Sequence, residues 1–377
     1  MRGTKLASNS DEKPLRKGFT TGACAQAAAK ACALMLVHQR QIDSVEVELP
    51  NKERAAFALT AQEFSEDYAR CAVIKDAGDD NDVTHGIEIL CAIKKTDSPG
   101  IEIRGSAGVG IVTKPGLPVP VGEYAVNPAP RSMILRDVSN IVNKEYGYVV
   151  EISVPKGEAV ASKTFNPRLG IKGGISIIGT TGIVEPKSQD AYRATLSMEL
   201  DVAKASGNKN IFLASGYIGK RLLKEDYGID DEAIIKIGDH VGFMLTECAS
   251  RGFSRVMLIG HIGKLAKVAA GIFNTHCMFG DARMETIAAY AASCGAAPDL
   301  TEKILTLETA EQSVALLREN DLLPAFSKIA QRVVERSIEY MKSDVNLSGV
   351  ILSLSGEIIG AYPADLMERK AWERFIS

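Results

Sequence analysis

The sequence predicts an α/β protein in two parts: an N-terminal α+β domain over residues 15–170, then a Rossmann-like, mostly parallel α/β domain over residues 171–377. Three observations point there. The chain has 377 residues, more than a single core ordinarily supports. Between Val45 and Val112, short apolar runs are separated by turns rich in Gly, Asp and Pro, the texture of strands. After Gly170, apolar β-branched runs alternate with helical patterns, as in a parallel sheet covered on both faces.

Taken in order, residues 1–14 are polar and are expected to be disordered. "TTGACAQAAAKACALMLVHQ" follows as a helix capped by Thr20 or Thr21, its alanines allowing another backbone or a flat ligand to come close. The runs "VEVEL", "CAVIK", "IEILCAI" and "IEIRG" are strands. "TKPGLPVPVGEYAVNPAPR", with five prolines, is too punctuated for a regular element, and a helix is expected from about Met133 to Glu145, before the strand "YVVEISV". In the second domain "ISII", "IFLA", "IIKI" and "VMLI" are the expected parallel strands.

Three of those strands end in glycine turns: "GTTG" (Gly179, Thr180, Thr181, Gly182), "SGYIGK" (Ser215–Lys220) and "GHIGK" (Gly260–Lys264). Any one of them is an ordinary tight connection. Three on one carboxyl edge would line a crevice of the kind in which open α/β sheets bind ligands. No Walker A loop and no strict G-x-G-x-x-G is present, which argues against ATP or NAD held in the commonest ways.

Composition narrows the partners. A net charge of -3, with 24% charged and 46% hydrophobic residues, gives no reason to expect nucleic acid or membrane. No apolar run approaches a membrane span and no signal-peptide core is visible, so a cytoplasmic location is expected. The seven cysteines contain no C-x-x-C pair, as suits reduced thiols better than a zinc site. The loop "KDAGDDNDVTHG" spaces Asp76, Asp80 and Asp82 like a calcium loop, but Ile87 stands where the bidentate glutamate belongs, so no metal is expected.

The blocks "LRKGFTTGACAQAAAKA", "KDAGDDNDVTHG", "VTKPGL", "NPAPRSMI", "KTFNPRLGIKGGISIIGTTGIVEPKS" and "GHIGKLAKVAAGIFNTH" resemble the signature blocks of the CbiD family of the anaerobic cobalamin pathway. The match runs in order from about Leu15 to at least Glu285, and beyond about Ala296 no block matches. The resemblance implies an S-adenosylmethionine-dependent methyltransferase that converts cobalt-precorrin-5B to cobalt-precorrin-6A by methylating carbon 1. The cobalt then belongs to the tetrapyrrole substrate, and neither a protein nucleophile nor a protein-held metal is required.

With that resemblance the candidate residues take roles. Gly179, Thr180, Thr181, Gly182, Gly260, His261 and Gly263 are expected at S-adenosylmethionine, and Gly179→Val is expected to abolish its binding with the fold intact. Thr20, Thr21, Lys114, Arg131, Arg168 and Lys172 are expected at the macrocycle, whose carboxylate fringe asks for cations. Residues Lys163 to Arg193 hold five cations against two anions, and arginine grips carboxylates by paired hydrogen bonds, which favours Arg131 and Arg168. Asp76 and His261 are the candidates for proton transfer, with His261 expected mainly as a wall of the cofactor crevice. Two other functions are compatible with the residues: a non-catalytic corrinoid carrier, and a nucleotide-dependent ligase or kinase that would normally show a phosphate loop. The sequence leaves room for a homo-oligomer without specifying one.

Overall fold

The strands after Gly170 do not open the second domain. In the computed structural model, which describes residues 15–373, Ile171–Lys172 pairs with Ile111–Val112, Gly174–Ile175 with Gly108–Val109, and Ile183–Val184 with Gly18–Phe19. All of these lie in the N-terminal unit, so the chain divides at Gln189/Asp190 rather than near Gly170. The disorder expected for residues 1–14 falls outside the described residues.

In the N-terminal unit, helix α1 (Thr21–His38) is capped by Thr20, whose hydroxyl accepts the Ala23 amide at 3.2 Å. It packs on a five-stranded sheet of β1 (Thr60–Phe64), β2 (Tyr68–Ile74), β3 (Glu88–Thr96), β4 (Gly100–Gly105) and β5 (Gly147–Ser153). The spatial order is β1-β2-β3-β5-β4, and only β5 and β4 run parallel. The alanines do what the sequence suggests: the Cys71 sulfur on β2 reaches within 3.3 Å of the Ala28 carbonyl of α1. "VEVEL" instead forms a separate hairpin, Ser44–Glu48 with Arg54–Ala58.

Helix α2 spans Pro128–Ser139, earlier than the expected Met133–Glu145. Pro128 and Pro130 lie in its first turn, where backbone N–H groups have no intrahelical partner to lose. At the other end, the Asn143 side chain turns the chain by accepting the Glu145 amide at 3.0 Å.

The C-terminal unit is built on β6 (Asn210–Ala214), β7 (Ile234–Lys236), β8 (Arg255–His261), β9 (Asn346–Leu352) and β10 (Ile358–Tyr362), in spatial order β7-β6-β8-β9-β10. The first four are parallel and β10 is antiparallel to β9. Ile211, Leu213, Val256, Leu258 and Ile351 face one core with helices α3 (Gln189–Ala205), α4 (Val241–Ser250), α5 (Ile262–Ala269) and α6 (Pro324–Met341). Phe212, Ala214, Met257, Ile259 and Val350 face the other, closed by Leu223, Leu366 and Trp372. The described part of the tail beyond Ala296 thus supplies two strands and three α-helices, Pro298–Leu305, Gln312–Glu319 and α6. Among the described residues no helix is long and apolar enough to cross a membrane.

Candidate functional site

The GTTG loop belongs to the N-terminal unit, which corrects the expectation of three glycine turns on one sheet edge. "ISII" is too short a strand for that sheet: Ile175 pairs with Val109, and Ile177 bridges to Val126. The loop is instead locked onto the start of α1. The Gly22 amide donates to the Ile178 carbonyl at 2.9 Å and the Thr20 amide to the Gly182 carbonyl at 3.0 Å. The Thr21 hydroxyl donates to the Ser176 carbonyl at 3.0 Å and accepts the Ile178 amide at 2.9 Å. The hydroxyls of Thr20 and Thr21 are therefore engaged within the fold, which counts against the macrocycle contacts expected of them. Gly179 has φ +136, and a Cβ there would fall 2.1 Å from the Thr20 hydroxyl, so its glycine is dictated by packing. The side chains of Thr180 and Thr181 are exposed.

The acidic loop is a set of clamps. Asp76 takes the Arg16 guanidinium on both carboxylate oxygens, and Asp79 accepts the Arg16 amide at 2.6 Å. Asp80 accepts the Lys187 amide at 3.0 Å, and Asp82 accepts the Lys75 ammonium at 2.7 Å. The hydrogen bond from Arg16, then that from the Gly78 amide, hold the Asp76 carboxyl down at about 2. A carboxylate so engaged is a weak base at neutral pH, which counts against the proton-transfer role considered for Asp76. Because its folded pKa lies below the unfolded value, its contribution to stability is present above the ordinary carboxylate range and is lost as pH falls toward 2. The melting temperature of the wild type should therefore drop between pH 4 and 2 more steeply than that of Asp76→Asn, measured by circular dichroism; parallel profiles would remove the clamp.

The expected cations all lie in this unit. Lys114 lies over Gly170, where a Cβ would meet its side chain at 2.4 Å, and the Thr113 amide bonds the Gly170 carbonyl at 2.8 Å. Arg168 and Lys172 flank the same turn. Arg131, on α2, lines a groove of about 240 Å³ with Pro118, Pro120, Glu123, Val126 and Pro128. It donates to the Ile103 carbonyl at 2.9 Å and lies 3.8 Å from Glu123.

In the C-terminal unit, chain order reverses between β6 and β8, and both strands end at this reversal in the remaining glycine turns. Such a point is where open α/β sheets place ligands. Gly260 packs against Ser215: a Cβ would fall 1.9 Å from its hydroxyl, which is fully buried and has no hydrogen-bond partner among the described residues. His261 caps α5, accepting the Gly263 amide on Nδ1 at 3.1 Å, so Nε2 carries the proton it shares with Glu311 at 2.9 Å. Glu311 also accepts the Leu354 amide at 3.0 Å. With both ring nitrogens engaged, the His261 ring is held in place, and Nδ1 is open to a proton only if it releases the Gly263 amide.

Asp239, beyond the end of β7, accepts from the Thr275 hydroxyl at 2.7 Å and lies 3.1 Å from the Lys264 ammonium. Burial pushes its carboxyl up, but the Thr275 and Lys264 hydrogen bonds outweigh this and hold it below the ordinary value. Sequence reasoning named the turn that begins at Ser215 without assigning that residue a role, and missed Asp239 and Glu311. Ser215 and Asp239 could have been found as the residues ending β6 and following β7. Glu311, remote in sequence and without a motif, gave no signal.

A family model described as CbiD matches residues 8–186, and one described as CbiD, C-terminal domain, matches residues 274–363. A curated relative from Moorella thermoacetica, named cobalt-precorrin-5B C(1)-methyltransferase, is 44% identical over 92% of this chain and 94% of its own. One of the same name from Salmonella typhimurium is 38% identical over 93% of each chain. A crystal structure of a cobalamin biosynthesis protein (CbiD) from Archaeoglobus fulgidus aligns at 29% identity over 69% of this chain and 82% of that one, with a TM-score of 0.38.

Proposed function

Because the chain belongs to the CbiD family, we propose that it is a cobalt-precorrin-5B C(1)-methyltransferase. The observation that carries this is the 44% identity, over nearly the full length of both chains, to a relative of that name. Methyl transfer needs a donor, and the reading takes it to be S-adenosylmethionine, held at the carboxyl edge of the C-terminal sheet between β6 and β8. The buried, unpartnered Ser215 hydroxyl and the ionised Asp239 supply polar contacts suited to a nucleoside with an amino acid tail. Gly260, His261 and Gly263 are kept as cofactor residues in this reading. Gly179, Thr180, Thr181 and Gly182 belong to the N-terminal unit and are not assigned to that edge. The macrocycle's carboxylates are assigned to Arg131, Lys114, Arg168 and Lys172.

The chemistry asks for alignment more than for proton transfer. The sulfonium already activates the methyl group, so the protein's task is to hold the ring carbon in line with the sulfur–methyl bond. The engagement of both Asp76 and His261 supports that division. His261→Asn is expected to weaken cofactor affinity while single-turnover rate at saturating cofactor falls less than tenfold. A general base would supply about 10²–10⁴-fold, so a thousand-fold fall with affinity unchanged would give His261 the proton. The proposal itself is tested by calorimetric titration with S-adenosylmethionine and with ATP. Binding of the first alone is expected; binding of ATP alone would support a ligase or kinase instead.

A further inference from the structure

Lys264, in the GHIGK turn, has the arrangement of a tie rather than of a surface cation. Its ammonium donates to the Ser215 carbonyl at 2.8 Å and to the Gly238 carbonyl at 3.3 Å, and it lies 3.1 Å from Asp239 Oδ1. An ammonium has three protons, and these three acceptors match them. The acceptors are not neighbours in sequence. Ser215 follows β6, Gly238 and Asp239 follow β7, and Lys264 itself stands in the first turn of α5, directly after β8. One side chain therefore gathers the carboxyl ends of three adjacent parallel strands at the point where chain order reverses.

The physical need is plain. Two carbonyls and a carboxylate point toward the same few ångströms, and without a cation they repel one another and draw in water. Asp239 is fixed from its other side by Thr275, whose amide also bonds the Asp239 carbonyl at 3.1 Å. The loop after β7 is thus anchored, and Lys264 brings the loop after β6 to it. The side chains of Lys264 and Asp239 are each only about one third exposed, so the contacts are not fully screened by solvent.

We propose that Lys264 is a positioning residue that preorganises the cofactor crevice by fixing the loops after β6 and β7 before ligand arrives. This rests on the reading of that edge as the S-adenosylmethionine site. Preorganisation lowers the ordering cost of binding, so its loss appears in cofactor affinity and not in the reaction step.

Lys264→Met keeps the chain length and removes the charge. It is expected to raise the dissociation constant and KM for S-adenosylmethionine about tenfold or more, with kcat and the macrocycle KM little changed, consistent with the loss of charge-assisted hydrogen bonds. Lys264→Arg, which keeps the charge, should recover part of the affinity; should the methionine variant fail to fold, reduced affinity in the arginine variant carries the same result. Unchanged cofactor affinity in both variants would overturn the proposal. Amide hydrogen exchange of the ligand-free protein separates this from the cofactor assignment. Faster exchange around Ser215 and Gly238 in the variant is expected whether or not S-adenosylmethionine binds, and unchanged exchange there would remove the tie. Failure of the wild type to bind S-adenosylmethionine, with faster exchange in the variant, would overturn the cofactor reading and the positioning role built on it, leaving the loop tie standing.

Discussion

Gly179→Val is expected to destabilise the N-terminal unit by about 4 kcal/mol, combining a branched residue in a backbone region open to glycine with overlap against a packed side chain. The backbone there has φ +136, and a Cβ would lie 2.1 Å from the Thr20 hydroxyl and 2.5 Å from its Cβ. Thr20 cannot simply move aside, because its hydroxyl caps α1 and its amide bonds the Gly182 carbonyl. The result differs from the one the sequence suggests, in which the same change spares the fold and abolishes cofactor binding. Urea unfolding of wild type and variant distinguishes them: a loss below 1 kcal/mol, accompanied by lost S-adenosylmethionine binding, would restore the loop to the cofactor.

Asp82→Asn is expected to cost about 3–5 kcal/mol, the penalty for leaving a buried charge without its partner. Lys75 is only 1% exposed, and its ammonium has Asp82 as its ion-pair partner at 2.7 Å. Burial raises the Asp82 carboxyl, but the Lys75 charge and the hydrogen bonds from Lys75 and Thr84 outweigh it, so the folded pKa lies below the unfolded one. The pair's stabilisation is therefore present above the ordinary carboxylate range and lost as pH falls through the folded value. Lys75→Met should cost less than Asp82→Asn, since it buries no charge and Asp82 retains some access to water. Equal unfolding free energies for wild type and Asp82→Asn would contradict the buried pair.

What the sequence made legible was local. The alanine face of α1, the strands "IFLA", "IIKI" and "VMLI", and the glycine turns after β6 and β8 all declare themselves through period, β-branching or turn residues. The placement of "ISII" did not, because an apolar run of four residues fits a central strand and a buried extended segment equally well. Its partners, Val109 and Val126, are distant in sequence. The tail was unreadable for the same reason: "LSGVILS" gains its meaning only beside β8, with which it pairs from Arg255 to His261. In the candidate site, cations such as Arg131 were visible as residue types. The reach of Lys264 across three loops, and of Glu311 to His261, depends on tertiary placement that no spacing encodes.

The central claim is that this chain moves a methyl group from S-adenosylmethionine to carbon 1 of cobalt-precorrin-5B. The most direct measurement is a turnover experiment with purified protein, isotopically methyl-labelled S-adenosylmethionine and cobalt-precorrin-5B, followed by mass spectrometry and nuclear magnetic resonance of the product. The account predicts a macrocycle heavier by a single labelled methyl, with the label attached at carbon 1. Tight macrocycle binding without transfer, or a label at any other ring position, would contradict it.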